Sequence, residues 1–163
     1  MSYTSSRLTA EHETTAFDCG NATLNLWLSK QALRAERAGV SATTVWTRSD
    51  ELGVLGYHSI SPTLLLRNEL ASRSMAAGYS SVPGYLLGRL ALDAELRGRR
   101  LGSQLLVDAL EVIVSAAERG GGRVIVVDAI DAAAVAFYEH HDFVRVGESQ
   151  RLVMKVATAR AAV

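Results

Sequence analysis

The segment Arg97-Gly98-Arg99-Arg100-Leu101-Gly102 joins an apolar run to a helical pattern, and it is the part of the chain best suited to hold an anion. Amide groups in the first turn of a helix have no internal partner, and the helix dipole adds positive potential there. Gly98 and Gly102 let backbone approach a ligand closely, while Arg97, Arg99 and Arg100 bring charge suited to phosphate. An ordinary solvated turn has the same composition, and short glycine motifs are weak signals alone. Neither G-x-x-x-x-G-K-[ST] nor G-x-G-x-x-G occurs, so two common nucleotide-binding motifs are excluded.

Other residues admit two readings each. Arg89 lies inside the apolar run Tyr85 to Asp93, so it must snorkel or meet an anion, either a substrate or phosphate group or a buried carboxylate. Asp93, just past that run, is placed to act as a base through water or to orient the turn. Lys30, Arg34 and Arg37 recur at i, i+4 and i+7, which gives one helical face for a nucleic-acid backbone or simply a solvated surface. Cys19 is a candidate nucleophile, but no His is near it in sequence and a packed turn cysteine fits as well. His58, His140 and His141 lack further ligands at metal-binding spacing, so no metal site is expected.

These residues need elements to position them. Leu24, Trp27, Leu28, Ala32 and Ala35 predict one helix from about Ala22 to Ala38, after a turn at Phe17 to Asn21. Thr43 to Thr47 and Gly53 to Ile60 read as a hairpin, with Pro62 ending the second strand. Thr63 to Gly84 gives mixed signals, a short helix flanked by loop. Tyr85 to Asp93 reads as a strand buried on both faces, and Leu101, Leu105, Ala109, Val112, Ile113 and Ala116 predict a helix stopped by Gly120-Gly121-Gly122. Arg123 to Asp128 is a strand, Asp131 caps a helix through Tyr138, and two short strands follow at Asp142 to Val146 and Arg151 to Val156. Ala157 to Val163 reads as an untethered tail.

The 163 residues suit one domain with a sizeable core, and no repeat or linker divides them. The 17 basic and 17 acidic residues balance, so bulk attraction to nucleic acid or an anionic membrane is not indicated, a balance that leaves room for a local patch. Every basic residue except Lys30 and Lys155 is Arg, which reflects anion-binding chemistry or genomic base composition. One cysteine excludes an internal disulfide. With neither a membrane span nor a signal-peptide pattern, the expectation is a cytoplasmic protein.

In order and spacing, LGRLALD (87–93), RGRRLGSQLL (97–106), RVIVVDA (123–129) and DAAAVAFYEHHDF (131–143) resemble the coenzyme A-binding half of the Gcn5-related N-acetyltransferases. The family's turn pattern is Gln/Arg-x-x-Gly-x-Gly/Ala. Arg97 and Gly102 match it, while Arg100 replaces the middle glycine; Asp142 likewise stands where Gly usually precedes the next strand's Phe. Further upstream, FDCGNATLNLWL (17–28) and YSSVPGYLLGRLALD (79–93) resemble the acetyltransferase toxins of bacterial toxin–antitoxin pairs.

The resemblance implies an α/β fold with a mixed, bent sheet flanked by helices, and acetyl-CoA as cofactor. It implies that Arg97, Gly98, Arg99, Arg100, Leu101, Gly102 and Ser103 cradle the coenzyme, with Asp131 on the cofactor side. Backbone at Leu90, Ala91 and Leu92 would hold the pantetheine arm and thioester. It also implies a Tyr138 that protonates the departing thiolate, with a core aromatic as the plain alternative; Asp93 stands beside it as candidate base. Arg89, Lys30, Arg34 and Arg37 are the candidate substrate contacts. The implied substrate is the α-amino group of aminoacyl-tRNA, the implied partners a small DNA-binding antitoxin and a second copy of the chain. Two rivals stand: an acetyltransferase of a small amine or protein N-terminus, and a non-catalytic acyl-CoA sensor or DNA-associated module.

Overall fold

A computed structural model describes residues 3–163. The elements, in chain order, are β1 (Tyr3–Arg7), α1 (Ala22–Lys30), α2 (Ala32–Arg37), β2 (Ala42–Arg48), β3 (Gly56–Leu66), β4 (Ser81–Leu92), α3 (Leu101–Gly120), β5 (Val124–Asp128), α4 (Ala132–His140), β6 (Val144–Arg145), β7 (Arg151–Lys155) and α5 (Val156–Ala162). The strands form a seven-stranded sheet in the order β1-β2-β3-β4-β5-β7-β6. Only β4 and β5 are parallel among the registered pairs; β1–β2, β2–β3, β5–β7 and β6–β7 run antiparallel. The mixed α/β class expected from the sequence is the one observed.

The chain makes two compact units, and β3, β4 and α3 pass from one to the other. The first unit holds the chain up to Ser61 together with Arg89–Ala109. Its core gathers Phe17, Cys19, Leu28, Val45 and Tyr57 around Ala91 of β4. The second holds Pro62–Gly88 and Leu110–Val163. There Leu65, Met75, Val82, Val124, Val126 and Val153 pack together. Removing such side chains from water, at ~25 cal/mol per Å² of apolar surface, is the main force holding each unit.

Several expectations are corrected. The single helix from Ala22 to Ala38 is two helices, because Gln31 leaves helical backbone at φ −121°, ψ −32°. Gln31 still donates to Trp27 and accepts from Ala35, both at 2.9 Å, so the apolar spacing survives the break and conceals it. Pro62 does not end β3, which runs on to Leu66. Pairing with β2 stops at Ile60 opposite Ala42, so the missing N–H of Pro62 costs no ladder bond there. In place of a short helix between β3 and β4 there are two 3₁₀ turns, Arg67–Glu69 and Arg73–Ala76, and β4 starts at Ser81.

The polar lead contains an unforeseen strand, β1, whose Tyr3 ring stacks on Trp46 at 5.6 Å. The terminal segment is no loose tail but α5, with Val156 and Ala159 buried. By contrast α3 begins at Leu101 and ends at Gly120, where its apolar face and the following glycines place it. The two non-glycine positions singled out by the family pattern both adopt left-handed backbone, Arg100 at φ 58° and Asp142 at φ 71°.

Candidate active site

The first unit builds the turn between β4 and α3 from three directions. Asp93 ends the strand: its Oδ1 accepts from Glu95 N and its Oδ2 from Asp18 N, each at 3.0 Å. Its own amide donates to Leu55, and Ala94 N donates to Asp18. Both carboxylate oxygens are therefore engaged by backbone, an arrangement that orients the turn. Asp18 in turn accepts from Gly20 N and Asn25 Nδ2, and these hydrogen bonds hold its carboxyl below the usual range. The sequence block around Cys19 thus packs against the turn that the downstream motif supplies.

Arg97 closes this arrangement by donating from Nη2 to the carbonyl of Cys19. After it, Gly98 takes φ 78° and Arg100 φ 58°, and the chain enters the twenty-residue α3. A Cβ at Gly98 would meet nothing within 4 Å, so the space before the helix is open. Left-handed residues directly ahead of a helix turn consecutive amides toward one point, a concavity that suits a pyrophosphate. Arg100 thus takes a backbone form that glycine adopts without steric cost. Arg99 and Arg100 are exposed on this turn, while Leu101, Gly102 and Ser103 form the first helical positions. Upstream, Leu90 and Leu92 are half-buried and Ala91 is buried. A Cβ on Gly56 would lie 3.0 Å from Leu92 Cδ2, so β3 packs tightly on β4 here and a larger residue would make Leu92 give way.

Among the described residues no carboxylate pairs with Arg89; its guanidinium sits 3.9 Å from the centre of the Trp27 ring, and burial lowers its pKa. Trp27 also stacks on Tyr57, whose pKa burial raises. The sequence placed Trp27 on the core face of a helix and gave no sign that it would carry a cation. Lys30, Arg34 and Arg37 are all exposed, but Lys30 belongs to α1 and the two arginines to α2, so the face assumed for a continuous helix is interrupted. Cys19 is buried, and its Sγ lies 3.7 Å from the carbonyl of Asn21, consistent with a packing role.

His58 is fully buried and its Nε2 lies 2.9 Å from Asp108 Oδ2, which also accepts from Ser5 Oγ at 2.8 Å. Burial pushes the Asp108 carboxyl up, yet hydrogen bonds from His58, Ser5 and Trp46 outweigh it and the net shift is downward. Asp108 escaped the sequence reading, although its place three residues after the buried Leu105 was a usable signal.

In the second unit, Asp131 caps α4 by accepting from Ala134 N at 2.8 Å. That helix carries Tyr138, which is buried and packs edge-on against Phe137 and Phe143. Burial pushes its phenol up to about 12, so the hydroxyl is a proton donor throughout the physiological range. His140 and His141 pack ring against ring near the end of α4, and burial lowers the His141 pKa. Among the described residues no three His, Cys, Asp or Glu gather as a metal site, and no helix is long and apolar enough to cross a membrane.

Comparison with known proteins agrees with this construction. The acetyltransferase (GNAT) family model matches residues 31–143. A tRNA-acetylating toxin of Mycobacterium tuberculosis is 35% identical over 137 residues, covering 84% of this chain and 81% of the relative. AtaT complexed with acetyl-methionyl-tRNAfMet superposes with a TM-score of 0.89 at 30% identity, covering 99% of both chains. A mutant AtaT bound to acetyl-CoA and the C-terminus of the antitoxin AtaR gives 0.85 at 28%, covering 98% of this chain and 97% of the other. The chain belongs to the acetyltransferase (GNAT) family, is related within it to the tRNA-acetylating toxins, and is an acetyl-CoA-dependent N-acetyltransferase.

Proposed function

We propose that the protein is a toxin that acetylates the α-amino group of aminoacyl-tRNA and so blocks translation. The observation that carries this reading is the 35% identity with the tRNA-acetylating toxin, which extends over 84% of the chain. The complex of AtaT with acetyl-methionyl-tRNAfMet supports the same acceptor.

Bound acetyl-CoA supplies an acetyl group already activated as a thioester. The amides from Gly98 to Ser103 hold its pyrophosphate, with Arg99 and Arg100 adding charge and Asp131 contributing from the start of α4. Arg97 and Asp93 act chiefly by fixing the turn, Arg97 through the Cys19 carbonyl and Asp93 through two backbone amides. Backbone at Leu90, Ala91 and Leu92 orients the thioester carbonyl, which stabilises charge developing on its oxygen. Tyr138 would give its proton to the departing sulfur as the neutral amine nitrogen bonds to the acetyl carbon, and the proton that the nitrogen must then lose would pass to water. No strong base is required, because an α-amino group of pKa ~8 is partly neutral at physiological pH. Arg89, Lys30, Arg34 and Arg37 contact the acceptor, Arg89 from its seat on Trp27.

The protein works as a single acetyltransferase domain in the cytoplasm, as a homodimer restrained by a small DNA-binding antitoxin. The AtaT complex with the C-terminus of AtaR supports such a partner. Offering charged tRNA, uncharged tRNA, polyamines and peptides together with labelled acetyl-CoA tests the substrate. Transfer confined to charged tRNA is expected. Transfer to peptides or small amines alone would assign the chain to the other acetyltransferases, and binding without transfer would leave a sensor.

A further inference from the structure

The second unit has a cationic cavity that takes no part in the chemistry described above. It measures about 340 Å³ and is lined by Gly122, Arg123, Lys155, Val156, Ala157 and Arg160. We propose that this cavity binds phosphates of the tRNA backbone, at a site separate from the acetyl-transfer chemistry; the proposal rests on the aminoacyl-tRNA reading.

Three cations from three segments line one concavity. Arg123 precedes β5, Lys155 ends β7 and Arg160 lies on α5. Arg123 is held in place by donating from Nε to the Met75 carbonyl at 2.8 Å and from Nη2 to the Ser74 carbonyl at 3.1 Å. Carbonyl partners fix the guanidinium without neutralising it, so its charge is left to act on an anion. Arg160 meets Glu118 at 3.5 Å, a pair of which both members are about half exposed and which water screens. Three positive side chains thus face one carboxylate, a local excess in a chain whose total charge is zero.

Size and position favour a polyanion. The volume exceeds that of a single phosphate and admits a phosphodiester with its sugar. The cavity adjoins the start of β5, whereas Asp131 and α4 follow the end of that strand; at ~3.3 Å per residue the five residues of β5 separate the two by about 15 Å. A nucleic acid that presents its charged 3′ end for acetylation carries further phosphates at such distances, so this site grips the strand a few nucleotides in from its acceptor end.

The test measures binding of wild type and the Lys155→Ala/Arg160→Ala double variant to full-length tRNA bearing a stable aminoacyl amide, across a salt series. Lys155 is half-buried and Arg160 exposed, and melting of the variant checks that it is folded. Loss of two phosphate contacts predicts affinity down by ~10-fold or more and a log–log salt slope shallower by ~2. Affinity for acetyl-CoA and acetylation of an aminoacyl-adenosine, which carries no phosphate, should be unchanged, and Lys155→Arg should bind tRNA as wild type does.

Full-length tRNA binding and salt slope unaltered in the double variant would overturn the proposal, even if wild type acetylates charged tRNA. Loss of binding to an acidic antitoxin peptide with tRNA binding intact would overturn it in favour of a protein ligand. Failure of wild type to acetylate any charged tRNA would instead remove the substrate reading on which it rests.

Discussion

The Arg97 guanidinium donates to the carbonyl of Cys19, linking residues 78 positions apart and tying the N-terminal turn to the coenzyme turn. Gly20 lies directly beneath this contact: at φ 85°, a Cβ there would stand 2.6 Å from Arg97 Nη2. Gly20→Ala should cost ~1–2 kcal/mol for left-handed backbone alone and displace Arg97 as well. Calorimetric titration with acetyl-CoA should show weaker binding in both Gly20→Ala and Arg97→Ala. Wild-type affinity in both would show that the coenzyme turn does not depend on this link.

Arg100 adopts a conformation that glycine reaches at no steric cost. Since its φ is already 58°, Arg100→Gly should keep the amide cradle and raise stability by about 1 kcal/mol, read from chemical denaturation. A loss of stability would mean that the Arg100 side chain contributes more than its backbone strain removes.

Tyr138 is buried, with a phenol pushed up to about 12, so it stays protonated well above neutrality. As the acid is active in its protonated form, a raised pKa moves any loss of activity from this group to higher pH. On a hydrolysis-resistant aminoacyl acceptor, kcat/KM should rise as the amine deprotonates and then stay level to about pH 10. Tyr138→Phe should lower turnover by ~10²-fold while leaving acetyl-CoA affinity near wild type. Undiminished turnover would exclude Tyr138 from the proton transfer.

How much of this was legible in the sequence depends on whether local pattern or distant packing decides each feature. Helix α3 could be read because its apolar face and terminal glycines are local, and Asp131 because a cap needs only the residues that follow it. The break at Gln31 could not, since it preserves the apolar spacing on both sides. Strand β1 is polar along YTSSR and exists by pairing with β2, a partner some forty residues away. For the candidate site, the turn at Arg97 to Gly102 was recognisable from its order, but the Cys19 carbonyl as Arg97's partner and Trp27 as Arg89's are tertiary facts.

Asp108 anchors the first half of α3 to β1 and β3 through Ser5 and His58. Asp108→Ala would leave the buried His58 Nε2 without its partner, when Nδ1 already has none, and should cost ~2–4 kcal/mol of stability. Because the folded-state carboxyl is net lowered, its stabilisation is complete above the unfolded value near pH 4 and is lost as pH falls through the folded one. Denaturation at pH 7 and pH 3 should therefore show a smaller difference between Asp108→Ala and wild type at the lower pH. An equal difference at both would exclude Asp108 ionisation as the source.

The central claim concerns one atom, the α-nitrogen of the amino acid on charged tRNA. The most direct measurement is to incubate the protein with acetyl-CoA and charged tRNA, digest the product with nuclease, and locate the acetyl group on the released aminoacyl-adenosine by fragmentation mass spectrometry. Acetyl on the α-nitrogen, absent with uncharged tRNA, is the predicted result. Unmodified aminoacyl-adenosine, under conditions where the same preparation acetylates a peptide or small amine, would contradict it.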